Sequence, residues 1–273
     1  MDKNIPIPKN AFEFGKNWQA FLDVLTDAHI AEAQKSLSAF LGATDLNGKC
    51  FLDIGSGSGL HSLVARRMGA SVHSFDYDPQ SVACTRELKR RYFADDPDWS
   101  IEQGSILEKS YIEQLGIYDI CYAWGVLHHT DMLWQALYNA QIPLRQGGLL
   151  FIAIYNDQGL ISSLWKIIKR TYSSGPVGKW LMTLIFYPIF FISGLLLDLL
   201  HLRNPATRYS EHKKYRGMSL VHDWKDWLGG YPFEPAEPKR ITSFFNNLGF
   251  ELVHYEATGH GFGNNQFLFR KKG

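Results

Sequence analysis

The sequence predicts an α/β fold, a parallel sheet covered by helices on both faces, and three observations predict it. Short apolar stretches alternate with helical ones from residue 49 to 156. One of them, Phe51-Leu52-Asp53-Ile54, runs directly into Gly55-Ser56-Gly57-Ser58-Gly59 and then a helical stretch, His61 to Met68. The chain is also long enough, at 273 residues, for one large domain or one domain with a sizeable insert.

The glycine turn is the strongest local signal. Glycine at 55, 57 and 59 lets the backbone turn tightly and approach a ligand with no Cβ in the way. A dinucleotide fingerprint wants its third glycine three residues after the second, where this chain has Leu60, so a dehydrogenase is the weaker reading. Ala70 to Phe75 reads as a second strand, followed by Asp76, Tyr77 and Asp78. Gln103-Gly104-Ser105-Ile106 is the turn after a third strand. Tyr118 to Ala123 is a fourth, running into Trp124-Gly125-Val126-Leu127-His128-His129, and Gly147-Gly148-Leu149 to Tyr155 a fifth. In such a sheet, ligands bind beyond the carboxyl ends of the strands, where Gly55 to Gly59, Asp76 and Trp124 to His129 converge.

These segments, in this order, resemble the class I S-adenosylmethionine (SAM) methyltransferases, firmly over about residues 45 to 156 and also over 237 to 271. The resemblance implies a seven-stranded Rossmann-like sheet with helices on both faces, and S-adenosyl-L-methionine as the cofactor. It assigns cofactor contacts to Asp53, Gly55, Ser56, Gly57, Gly59, Asp76, Tyr77, Gly104, Ser105, Ile106 and Trp124. Asp76 stands where the family holds the ribose hydroxyls; a carboxylate suits a cis-diol because it accepts two charge-assisted hydrogen bonds. Ser105 departs from the aspartate common in the adenine-contacting loop.

Four segments follow: an N-terminal helical lid over 1–44, the SAM-binding core over 45–156, an insertion over 157–235, and the rest of the core over 236–273. Trp18, Phe21, Leu22, Leu25, Ile30, Ala33, Leu37 and Phe40 recur at helical spacing, so 17–41 reads as one or two helices on the cofactor side. Phe12 to Trp18 is either a lid over the cofactor or an ordinary amphipathic start. Pro238 to Leu248 is a helix stopped by Gly249, and Phe250 to Ala257 and Gln266 to Arg270 are strands, matching the family's closing helix and antiparallel hairpin.

The insertion after the fifth strand is longer than a crossover needs, and inserted loops carry specificity. Leu181 to Leu197 contains no charged residue, with Pro188 near its middle expected to kink or split a helix. A single crossing would leave two halves of one sheet on opposite sides of a membrane. That leaves a helical hairpin buried against the core or a partner subunit, or a monotopic membrane-surface contact through 181–197 flanked by lysine and arginine. Farther on, Trp224, Trp227 and Tyr231 have the character of a substrate-pocket wall. His222 would lie beside Asp226 at i and i+4 on a helix, an arrangement fit for a general base.

SAM already carries an activated methyl group, so such an enzyme mainly aligns a nucleophile and excludes water. His128, His129 and His222 are the candidate catalytic bases, with Tyr231 and His260 in reserve; His61 packs beside the turn or touches the cofactor. The Ala-Trp-Gly-Val-Leu-His-His loop lacks the Asn/Asp-Pro-Pro-Tyr/Phe signature of adenine and glutamine amino-methyltransferases. It is similar to the group acting on small molecules. The expectation is methyl transfer to O or N of a small aromatic or apolar acceptor. The alternatives are an RNA or protein methyltransferase holding its target through Arg203 to Arg216, or a SAM-binding interaction protein without catalysis.

Charge excludes little beyond a globally basic nucleic-acid binder. Lysine and arginine number 28 against 27 acidic residues, net +1, so nucleic acid is not an expected partner. Cys50, Cys84 and Cys121 read as buried thiols without metal spacing, and no metal is expected. Met1 to Pro8 lacks the basic and apolar regions of a signal peptide, pointing to a cytoplasmic protein, peripheral on the membrane if 181–197 docks there.

Overall fold

The computed structural model describes residues 14–202, 204, 205, 207, 220–258 and 263–273. Helices α1 (Phe14–Leu22) and α2 (Asp27–Leu41) precede the sheet, so the spacing over 17–41 gives two helices. Thr26 separates them, capping α2 in a reciprocal pair with His29.

The alternating part follows as β1 (Cys50–Ile54), α3 (Leu60–Arg67), β2 (Ser71–Asp76), α4 (Pro79–Tyr92), β3 (Trp99–Gln103), α5 (Lys109–Ile112), β4 (Tyr118–Trp124), α6 (Leu133–Ala140) and β5 (Leu144–Tyr155). A 3-10 turn, Leu127–His129, links β4 to α6. The insertion contributes α7 (Leu160–Tyr172), α8 (Pro176–Leu200) and α9 (Leu220–Gly229). The chain closes with α10 (Pro238–Asn247), β6 (Phe250–Glu256) and β7 (Asn264–Lys271).

Seven strands form one sheet in the order β3-β2-β1-β4-β5-β7-β6. The first five are parallel, and β7 lies antiparallel between β5 and β6. The order reverses between β1 and β4, which sets a crevice at their carboxyl ends.

The central strands read as near-continuous apolar runs because both faces are covered. Phe51, Phe151 and Leu268 point to the side of α2, α3 and α4; Leu52, Ile152, Phe267 and Phe269 point to the side of α6 and α10. Phe40 of α2 stacks on Phe151 with centroids 3.9 Å apart, tying the N-terminal helices to the sheet.

Two expectations are corrected. Cys50 is exposed, because it opens β1 at the solvent end; Cys84 and Cys121 are buried. The apolar run is neither split at Pro188 nor buried against the core. It belongs to one helix of 25 residues, α8, on whose length Asp198 is the buried residue. Pro188 sits on an exposed side of that helix. A small cluster of Ile168, Tyr172 and Leu228, with Trp165, Phe186 and Phe190 against it, joins α7, α8 and α9 apart from the main core.

Candidate active site

A cavity of about 350 Å³ opens over the carboxyl ends of β1, β2 and β4. Its floor is the glycine turn. Ser56 Oγ lies 2.9 Å from Thr85 Oγ1, and Thr85 donates to the Gly57 carbonyl, so α4 clamps the turn. Gly55 and Gly57 adopt φ of +73° and +56°, a region that favours glycine. A Cβ on Gly55 would strike Val126, and one on Gly57 would strike the Trp18 indole.

Two buried carboxylates flank the floor. Asp53 accepts a 2.5 Å hydrogen bond from Ser62, which meets Ser74, to which Trp99 Nε1 donates. Burial pushes Asp53 up to about 7, with the Ser62 hydroxyl opposing and Asp76 adding. Asp76 accepts the main-chain NH of Gly57 on Oδ2 at 3.0 Å and that of Asp78 on Oδ1 at 2.9 Å. Burial raises it to about 6, the two NH groups opposing. Each of its oxygens retains a lone pair for a ligand hydroxyl.

The walls come from distant segments. Trp18 and Phe21 of α1 overhang the turn, so α1 forms one side of the cavity; residues 1–13 of the expected lid lie outside the described residues. The NH of Gly15 donates to Asp78 at 3.0 Å, pinning α1 beside Asp76. Gly104, Ser105 and Ile106 line the far wall, with Gly104 against Tyr111, where any Cβ would clash. Tyr77 and Trp124 complete this half, Trp124 Nε1 donating to Gln266 at 3.0 Å.

Beyond Trp124 the cavity continues past Gly125, Val126, His129, Thr130, Tyr155, Tyr231 and Asn264. His129 Nδ1 is 2.6 Å from the Pro232 carbonyl, which fixes its proton on Nδ1 and makes Nε2 the acceptor nitrogen. Burial lowers this imidazole to about 4, the Pro232 carbonyl opposing and the Lys169 charge adding. His129 is therefore neutral at physiological pH.

The sequence-derived residues thus divide. Asp53, Gly55, Ser56, Gly57, Asp76, Tyr77, Gly104, Ser105, Ile106, Trp124, His61, His129 and Tyr231 share this cavity. Gly59 does not line it: its Cβ position abuts the backbone of Thr85 at 2.9 Å, so this glycine lets α4 approach. His128 does not line the cavity either: it is fully buried, with its Nδ1 3.4 Å from the NH of Tyr155 and its Nε2 without a hydrogen-bond partner. Trp224 and Trp227 do not line the cavity. Trp224 packs on Tyr187 and Phe190 of α8, and Trp227 on Trp165 and Tyr155. The side chains of His222 and Asp226, and all of His260, lie outside the described residues.

Tyr155, Thr130 and Asn264 were missed: Tyr155 ends β5, Thr130 follows the 3-10 turn and Asn264 opens β7, none within a motif of its own. Asn264 Oδ1 is buried without a hydrogen-bond partner. Lys169, expected among the exposed basic residues flanking the apolar run, is instead 1% exposed. It donates to the Trp227 carbonyl and lies 4.6 Å and 5.2 Å from the ring centroids of Trp227 and Phe233. Among the described residues no cluster of metal-ligating side chains occurs.

The sheet order, the glycine turn clamped beside an acid at the end of β2, and a cavity over the switch point define the class I SAM-dependent methyltransferase fold. Residues 52–150 match the family model described as a methyltransferase domain. Two solved structures share the fold. One is magnesium protoporphyrin IX methyltransferase from Synechocystis PCC 6803 with bound SAH, at 12% identity over 89% of this chain and 84% of that one, TM-score 0.53. The other is an O-methyltransferase family protein from Burkholderia thailandensis, at 10% identity over 82% of this chain and 51% of that one, TM-score 0.51. A ribosomal protein L11 methyltransferase from Methylococcus capsulatus is 45% identical over 53 residues, 19% of this chain. The match spans only 18% of the length of that curated relative.

Proposed function

We propose that this methyltransferase acts on an oxygen or nitrogen atom of a small aromatic or apolar acceptor. The observation that carries the reading is the continuity of the cavity. Gly55 to Gly57 and Asp76 line the same cavity as Trp124, His129, Tyr155 and Tyr231. Among the described residues of the insertion only Tyr231 lines it, so none of them plugs the acceptor end as a non-catalytic binder would require.

The residues fit the cofactor. Gly57 brings bare backbone to the floor, Asp76 offers two acceptor oxygens to a diol, and Gly104 to Ile106 offer a flat wall to a purine. When bound, SAM supplies an electrophilic methyl group. The protein's own tasks are alignment and exclusion of water. Trp18 and Phe21 close one side, while Tyr155 and Tyr231 hold an acceptor ring at the other. His129 takes the proton that an O–H or N–H acceptor loses. An imidazole this weakly basic can take the proton only as the bond to the methyl group forms, so it favours the more acidic acceptors, a phenol before an alcohol. The names of the Synechocystis and Burkholderia neighbours also point to small acceptors and O-methylation.

The test uses SAM labelled on its methyl group, supplied with separated cell fractions. Label transferred to organic-extractable small molecules supports the reading. Label confined to protein or RNA overturns it.

A further inference from the structure

The insertion presents a surface that methyl transfer does not explain. Helix α8 has two adjoining exposed apolar faces, Trp180, Leu184 and Phe191 on one and Ile185, Ile192 and Leu199 on the other. Only the remaining side, with Phe186 and Phe190, packs within the insertion. The apolar surface continues onto α7, where Leu160 is 88% exposed and Ile167 62%. Exposed apolar patches of this extent mark a binding surface rather than ordinary scatter.

Charge selects the occupant. Lys166 and Arg170, at i and i+4 on α7, and Lys179 in the first turn of α8 are exposed. The acid on these two helices is Asp198, which is buried. Among residues 203–216 the sequence adds Arg203, Arg208, Lys213, Lys214 and Arg216 against one acid, Glu211. A helix apolar over two faces and edged by cations suits hydrocarbon below and anionic headgroups above.

Topology sets the depth. Length and composition alone would let α8 cross a bilayer, and it is the one such helix among the described residues. The strands β5 and β7, before and after it, pair from Leu149–Arg270 to Tyr155–Asn264. A chain that crossed once could not return to that sheet. We propose that α7 and α8 form a monotopic membrane dock, lying in the interface of an anionic bilayer on the side of the sheet it started from.

The dock touches the site through side chains. Phe186 meets Trp165, Trp165 meets Trp227, and Trp227 meets Tyr155, with centroids 5.6, 5.4 and 6.2 Å apart, and Tyr155 lines the cavity. The docking proposal itself does not depend on which acceptor is methylated.

The full chain is sedimented with phosphatidylcholine vesicles, with and without phosphatidylglycerol, while S-adenosylhomocysteine affinity is measured by calorimetry. The expected result is binding to the anionic vesicles that weakens with salt. It should fall about tenfold or more in Ile185→Glu/Ile192→Glu, with ligand affinity unchanged. A second variant, Lys166→Glu/Arg170→Glu, is expected to weaken binding to anionic vesicles selectively. Failure of the wild-type chain to sediment with either vesicle overturns the proposal, as does undiminished binding by the Ile185→Glu/Ile192→Glu variant. A lipid-free dimer that this variant dissociates, without vesicle binding by either protein, assigns the surface to self-association instead.

Discussion

The main-chain NH of Gly57 donates to Oδ2 of Asp76 at 3.0 Å, so the glycine turn and the acid closing β2 form one hydrogen-bonded unit. Burial raises Asp76 to about 6, which leaves the ligand-free carboxyl mostly protonated below that pH. On the proposed reading it holds the ribose hydroxyls in its ionised form. Binding below pH 6 then releases a proton, and affinity for S-adenosylhomocysteine should fall by up to about tenfold per pH unit there, levelling off above. Asp76→Asn keeps the shape and removes the charge. It should weaken binding at pH 8 by about 1–3 kcal/mol and erase the Asp76 component of the pH slope. Calorimetry between pH 5 and 8 decides it; equal affinity in the folded variant removes Asp76 from the site.

The glycines of the turn should separate by phenotype. Gly59 has φ +80°, and a Cβ there would sit 2.9 Å from the Thr85 Cα, so Gly59→Ala must displace α4. The expected cost is about 1–3 kcal/mol of stability, read as a lower melting temperature. Gly57→Ala instead meets the Trp18 indole at 2.9 Å, a side chain on α1 that can swing aside. Its main effect should be on S-adenosylhomocysteine affinity. The reverse ranking in melts and titrations would contradict these assignments.

What the sequence made legible was local. The turn at 55–59, Asp76, Gly104 to Ile106 and Trp124 to His129 each lie within a few residues of a strand's carboxyl end, and a parallel sheet brings such ends together. Asn264 reaches the same cavity only because β7 runs antiparallel beside β5, a pairing across more than a hundred residues. Trp224 and Trp227 had the composition of a pocket wall, but no periodicity tells an acceptor-facing tryptophan from one facing α7 and α8. Lys169 looked like one of several basic residues edging an exposed helix. Its burial beneath Trp227 and Phe233 depends on how α7 meets α9.

The Trp18 overhang predicts a role for α1 in retaining the ligand. Trp18 and Phe21 line the cavity, and the NH of Gly15 ties the helix to Asp78. Trp18→Ala should raise the dissociation constant of S-adenosylhomocysteine roughly tenfold, through lost burial of about 1.5 kcal/mol. The loss should appear in a faster off-rate, measured by stopped-flow fluorescence. An off-rate equal to wild type would show that α1 stands clear of the bound ligand.

On the proposed reading, in which His129 is the base, Lys169 connects the insertion to the chemistry. Its positive charge, beneath Trp227 and Phe233, adds to burial in lowering His129 to about 4. Turnover that uses neutral His129 as the base should therefore be insensitive to that group above pH 5, and fall as pH drops through about 4. Lys169→Met preserves most of the buried volume and removes the charge. The folded His129 pKa then rises, and the acid limb of kcat moves upward toward the ordinary imidazole value of about 6.5. Turnover at pH 8 should change little, because His129 stays neutral there. His129→Ala should depress turnover about 10²–10⁴-fold while leaving S-adenosylhomocysteine affinity near wild type. A pH profile of the Lys169→Met variant separates the two possibilities for His129. A limb that shifts marks the imidazole as the proton acceptor; a limb that stays, in a folded and active variant, means the acceptor's proton leaves by another route.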